Sequence, residues 1–157
     1  LFFKRADPIS IHTLTCAGYD VLIDLCKNQE IEPFVRSSQF IRQGKEREYF
    51  NILNRAQNFF KHADRDSNIL LNFNPESTEF LLWDATRLYR LLTNENTPIM
   101  GIFYIWFVMK NNDFVLIDNE RFQQLVNNLK KSTYNPDNKL AFYALLTDQE
   151  ILDKVFN

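Results

Sequence analysis

The chain has 157 residues, with 18 basic against 20 acidic side chains and a formal net charge of −2. That length fits one domain whose core needs neither metal nor disulfide. The charge balance excludes a nucleic-acid coat and a polybasic membrane binder, although it leaves room for a small local basic site. Fifteen Phe, six Tyr and two Trp against three Gly favour helices packed on helices over a turn-rich β fold.

The first residues, Leu1-Phe2-Phe3-Lys4-Arg5, read as the tail of a helix whose beginning is missing. Prolines then punctuate the chain. Asp7-Pro8, Asn74-Pro75, Thr97-Pro98 and Asn135-Pro136 each pair an N-cap side chain with proline at the first helical position. Thr147-Asp148-Gln149-Glu150 adds a capping box. These signals predict helices over 8–28, 45–65, 75–94, 98–111, 119–131, 136–146 and 148–156. A short helical turn is expected at 34–42, and an extended connector at 68–74, pinned to the core by its apolar residues.

In the 8–28 helix, Ile9, Ile11, Leu14, Val21, Leu22 and Leu25 spread over well over half the circumference, leaving a strip with Thr13, Asp20 and Asp24. Such a helix is expected at the centre of a bundle. Cys16 and Cys26 lie ten residues apart on it, roughly 15 Å along the axis, too far for a disulfide. Two free thiols outside any Cys-x-x-Cys pair point to a reducing, cytoplasmic compartment and give no support to zinc or redox chemistry. His12 shares a face with Cys16, Tyr19 and Ile23. It reads as a buried histidine satisfied by one hydrogen bond, or as part of a binding site.

The 45–65 helix places Tyr49, Leu53, Ala56, Phe60 and Ala63 on its core face. Arg55 and His62, two turns apart, project from nearly the same side, with Asn58 and Phe59 between them and Asp66 extending the row. That side is expected to border the core face, at the rim of a groove or helix interface. An arginine there suits a phosphate or carboxylate, and a histidine suits proton transfer near neutral pH. Asn58, Lys61, Asp66 and His12 are the accompanying binding candidates. The same residues equally suit an ion pair between Arg55 and Asp66 and a histidine hydrogen-bonded at a helix end. Arg5 and His12 repeat the Arg55–His62 spacing.

Arg55, six intervening residues and His62 near a helix end resemble the HEPN superfamily, whose members carry an Arg-x4-6-His motif and are often metal-independent ribonucleases. The resemblance implies two protomers that juxtapose their motifs. His62 would act as general acid or base toward a ribose 2′-hydroxyl, and Arg55 would stabilise the phosphate. The string from Asn58 to Asp66 also resembles a bacterial family of helical proteins without an established activity, a likeness that extends from Pro8 to Asp84.

Asp64-Arg65-Asp66-Ser67-Asn68 begins like a calcium loop, but Ile69 stands where glycine is needed and Pro75 where the bidentate glutamate belongs. A composite metal site of His12, His62 and a carboxylate such as Asp84 lacks any His-x-x-Glu spacing, so neither metal nor cofactor is expected. The block from Phe103 to Phe107 reads as core whose exposed remainder, joined by Trp83, would form a dimer surface, while Arg87 and Arg90 sit on a solvated flank. The longest apolar run, Ile99 to Met109, is about half of the ~20 residues that span a bilayer, so no membrane partner is expected. The expected fold is all-α: a single-domain bundle of about six or seven helices built around the 8–28 and 98–111 helices. The leading functional expectation is an intracellular homodimer that binds a protein or small-molecule ligand. The alternatives are an RNA-cleaving enzyme using Arg55 and His62 and, more remotely, a metal-dependent enzyme using His12 and His62.

Overall fold

The computed structural model describes residues 1–39, 41–62, 68–112, 120–131, 134–145, 148 and 153. The fold is all-α. Among the described residues there are six helices and no strand: α1 (Pro8–Lys27), α2 (Glu46–Lys61), α3 (Glu76–Thr93), α4 (Pro98–Lys110), α5 (Glu120–Lys131) and α6 (Lys139–Ala144). They fall into two compact units, Asp7–Thr93 and a second made of Leu1–Ala6 with Asn94–Asn157.

In the Asp7–Thr93 unit, α1 packs against both α3 and α2. Its start follows from capping: the Asp7 carboxylate accepts from the Ser10 amide at 2.7 Å, with Pro8 in the first turn. α3 starts just after Asn74-Pro75, where Asn74 Oδ1 accepts from the Glu76 amide at 3.0 Å. It ends at Asn94, whose φ of 56° is the left-handed conformation that stops helices. Cys16, Tyr19, Cys26, Leu81, Ala85 and Leu88 form the buried core between α1 and α3. Each fully buried leucine there contributes roughly 1.5–3 kcal/mol.

Three expectations for this unit change. α2 is shorter than 45–65: it stops at Lys61, and His62 is its C-cap with φ −128° and ψ 50°. Residues 34–42 form turns instead of helix where they are described. The connector from Ile69 to Asn74 is irregular, as expected, but only partly pinned. Phe73 meets the rings of His12 and Phe60 edge-on at 5.0 and 5.3 Å, whereas Leu70 is 97% exposed. Residues 63–67, which include Ala63, Asp66 and the start of the calcium-like string, lie outside the described residues.

In the other unit α4 packs against α5 and α6. Ile102, Ile105, Trp106, Phe107 and Val108 are essentially inaccessible. The indole of Trp106 donates to the Pro136 carbonyl at 2.7 Å, so its buried N–H is satisfied. The expected exposed aromatic remainder on α4 is absent: Phe103 to Phe107 are buried except for a half-buried Tyr104, which stacks on Phe122. The dimer surface assigned there is therefore already covered by the unit's own core. Phe2 and Phe3 are turn residues packed edge-on to Trp106, and Arg5 has a positive φ of 51°, so the opening residues do not read as helix. Asn135-Pro136 makes a turn, its Asn135 side chain accepting from the Asp137 amide at 3.0 Å, and the six-residue α6 starts only at Lys139. The capping box at Thr147 and the 148–156 helix fall outside the described residues apart from Asp148 and Asp153.

α1 is the one described helix long and apolar enough to cross a membrane by length and composition, a test that buried core helices also pass.

Candidate functional site

Most of the polar chemistry described in the Asp7–Thr93 unit lies in its interior. Spacing explains why. On α3 the residues Leu81, Asp84, Ala85 and Leu88 recur at three- and four-residue steps, so the helix face that buries leucine also buries the Asp84 carboxylate.

Four donors converge on that carboxylate. Tyr19 Oη and the backbone amides of Phe34 and Val35, the last two at 2.7 and 2.9 Å, donate to Oδ2, and Arg87 Nε donates to Oδ1 at 2.8 Å. Arg87 also donates to the Glu32 carbonyl at 2.7 Å, and Tyr49 Oη to the Val35 carbonyl at 2.6 Å. Burial and the hydrogen bond to Asp84 push the Tyr19 phenol well above its usual range, so it stays a donor. Four hydrogen bonds thus engage this buried carboxylate, three on Oδ2 and one on Oδ1. Its work is to hold the 32–36 backbone against α1 and α3.

A second network flanks it. Arg36 donates to Asp20 Oδ1 and, at 2.6 Å, to Gln57 Oε1; Gln57 Nε2 in turn donates to Asp20 Oδ2 at 2.8 Å. Lys61 Nζ stands 3.6 Å from the same carboxylate. Partial burial pulls the Asp20 carboxyl upward, but the Gln57 hydrogen bond and the Arg36 charge outweigh it and hold the group below its ordinary range. Arg36 also lies over the Tyr19 ring, 5.4 Å from its centroid. Lys61 is thus a neighbour of this ion cluster, which the sequence reading had not assembled.

His12 is buried, with Nδ1 2.9 Å from Thr78 Oγ1 and Nε2 3.4 Å from Cys16 Sγ. Cysteine, histidine and a hydroxyl in a row have the order of a nucleophilic triad, but the electrostatics oppose it. Burial, and then the Arg36 charge, lowers the His12 pKa, and burial raises the Cys16 thiol to about 11. A neutral ring beside a protonated thiol, closed in by Phe60 and Phe73, is a satisfied core contact.

The Arg55–His62 row lies elsewhere. Arg55 and Asn58 are exposed and His62 is half-buried. Gln57, buried against α1, points almost the opposite way from Arg55 along the 100° per residue of a helix, about 160° around the axis. The row therefore occupies the outer side of α2; it does not border the core. Among the described residues Arg55 has no hydrogen-bond or ion-pair partner, and the suggested Asp66 partner lies outside them. His12 and His62 thus sit in different settings, one in the core and one at a helix end. Among the described residues no group of three His, Cys, Asp or Glu is placed to hold a metal ion.

One surface feature belongs to the buried network. Phe34, whose amide is clamped by Asp84, turns a 45% exposed ring outward. The ring stacks on Trp83 at 5.8 Å, and the Arg87 guanidinium lies over it, 4.2 Å from its centroid. Phe80, one turn before Trp83, is also exposed. Sequence reading placed Trp83 and Arg87 separately and missed Phe34. The legible signal was Asp84, an acid at leucine spacing that had to be paired with something. Comparison with family models, curated proteins and solved structures finds no match to this chain.

Proposed function

We propose that this chain is a non-catalytic intracellular binding module whose Asp7–Thr93 unit offers Phe34, with Trp83 and Arg87 beside it, to a partner protein. The observation that carries this reading is the Asp84 clamp. A buried carboxylate is committed to two backbone amides of a surface turn, and the residue it fixes presents an exposed aromatic ring. Immobilising the turn before binding reduces the ordering cost of association, and aromatic and arginine side chains dominate binding energy at interfaces. The groups able to do acid–base or nucleophilic chemistry in the interior, His12, Cys16 and Asp84, are buried and mutually satisfied, which favours binding over catalysis. The buried free thiols support a reducing, cytoplasmic setting.

The test compares proteins retained by the immobilised chain with those retained by Phe34→Ser and by Arg55→Ala. Loss of specific partners with Phe34→Ser alone is the expected result. Identical retention by all three defeats the reading.

A second reading has one observation in its favour. Arg55 is exposed without a partner among the described residues, and His62 is part-exposed two turns later. That accessibility suits the HEPN-like ribonuclease. RNA cleavage by the wild-type chain, abolished in His62→Ala and Arg55→Ala, would support it; equal cleavage by all three would remove it.

A further inference from the structure

α1 and α3 join through a buried apolar core, and α2 does not share it. The one fully buried residue of α2 is a glutamine, Gln57. Among the described helices α2 packs against α1 alone. Its inward stripe runs through Tyr49, Leu53, Gln57 and Phe60, at steps of four, four and three. Leu53 is only partly buried against the core, and Phe60 meets the His12 and Phe73 rings edge-on.

The other links of α2 are polar. Tyr49 Oη donates to the Val35 carbonyl at 2.6 Å, and Gln57 donates to Asp20 at 2.8 Å while accepting from Arg36 at 2.6 Å. Lys61 Nζ lies 3.6 Å from the Asp20 carboxylate, and these two side chains are 45% and 36% exposed, so water and salt reach the cluster. Contacts of this kind contribute little net, because water replaces them on opening. The seat is also imperfect: Arg36 Nε is buried without a hydrogen-bond partner, a donor that water would satisfy on release. Asp7 caps the start of α1, but α2 begins without any side-chain cap. A helix of 16 residues is marginal in isolation, so α2 loses its helix once it leaves its seat.

We propose that α2 is a strap that detaches and melts while α1 and α3 stay packed, and that its docking controls the order of the turn carrying Phe34. The control runs through Val35 and Arg36. With α2 seated, Tyr49 holds the Val35 carbonyl and Gln57 holds one arm of Arg36, while Asp84 grips the amide side of the same turn. With α2 released, the Asp84 contacts and the Arg36–Asp20 pair remain, but the other two holds pass to water. By reciprocity, whatever orders the turn also seats α2. The use of this control rests on the Phe34 binding reading; the detachment of α2 does not.

Hydrogen exchange of the full chain, followed by mass spectrometry, tests both parts. In the wild-type chain α2 amides should exchange at least about 100-fold faster than the buried amides of α1 and α3. Raising sodium chloride from about 50 mM to about 1 M should widen that gap. Asp20→Asn should speed exchange in α2 at least about tenfold, leaving α1 and α3 unchanged. Tyr49→Phe, which carries no change of charge, should act in the same direction and less. In both variants the segment 34–37, where the Ser37 amide bonds to the Phe34 carbonyl, should exchange faster as well. Wild-type α2 as protected as α1 and α3 overturns the strap, as does Asp20→Asn speeding all three helices alike. Faster α2 with an unchanged 34–37 segment overturns the control of the turn. Partner retention by Phe34→Ser is a separate readout, so failure of the binding surface and failure of the strap are told apart.

Discussion

α1 and α4 begin in the same way, with proline at the first helical position behind an Asp or Thr cap, and both are rich in apolar residues. Their surroundings differ. α4 is enclosed on nearly every side by α5, α6 and Phe2 and Phe3, so Ile102, Ile105, Trp106 and Val108 are inaccessible to water. In α1 only 22% of the most apolar window is buried, and its Leu14, Val21 and Leu25 face outward. The difference lies in the neighbours: α4 has enough packed against it to cover most of its circumference, whereas α1 packs against α3 and α2 and keeps an exposed side. Apolar composition states that a helix needs cover; it does not state where the cover comes from.

Substitutions should make that contrast measurable. The largest effect is expected from Trp106→Ala, which opens a cavity in the α4 core and removes the hydrogen bond to Pro136. Urea denaturation should show a loss of about 3–5 kcal/mol, whereas Leu14→Ala on the bare side of α1 should stay within about 0.5 kcal/mol at low protein concentration. Equal losses would mean that α1 is enclosed like α4.

Next comes Asp84→Ala, which strands Tyr19 Oη, two amides and the Arg87 guanidinium in the interior. A loss of about 3 kcal/mol is expected. Faster hydrogen exchange at Phe34 and Val35 should accompany it, while exchange on α4 is unchanged. Unaltered exchange at both amides would remove the clamp from the explanation of Phe34.

The smallest effect concerns pH. Both histidines lie in the Asp7–Thr93 unit. Burial holds the His12 pKa in the folded chain below the 6.5 expected when unfolded. The unfolded chain therefore binds a proton first as pH falls. The stability that His12 contributes is complete above pH about 6.5 and is lost as pH drops from there through the lower folded value. His12→Gln should flatten that part of the stability profile. An identical profile in the variant would show that His12 does not couple to folding.

The helices themselves were legible in the sequence. The Asp7-Pro8 and Thr97-Pro98 pairs start α1 and α4 where they were expected, because the fixed φ of proline acts locally, joined in α1 by the Asp7 cap; the Thr97 side chain makes no capping hydrogen bond. Asn135-Pro136 carries the same signal and makes only a turn, since a local preference cannot force a helix where the following residues are used differently. The wheel of α1 correctly marked it as apolar but placed it at the centre of everything, because the pattern of one helix does not reveal how many neighbours it has. The candidate row at Arg55 and His62 was visible as a motif. The Asp84 and Asp20 networks were not, because each joins residues brought together from α1, the 32–36 turn, α2 and α3. Only Asp84 itself gave a hint, as an acid among leucines.

The burial of Cys16 and Cys26 also has a practical consequence. Thiolate is the species that reacts with alkylating reagents; burial pushes the Cys16 thiol up to about 11 and raises the Cys26 thiol as well, so both buried groups are poor in thiolate at neutral pH. Modification must then wait for α1 to lift from α3. Both thiols sit on that one helix and none elsewhere in the chain, so the rate of labelling is a clock for the opening of a single seam, readable by mass spectrometry without any added probe.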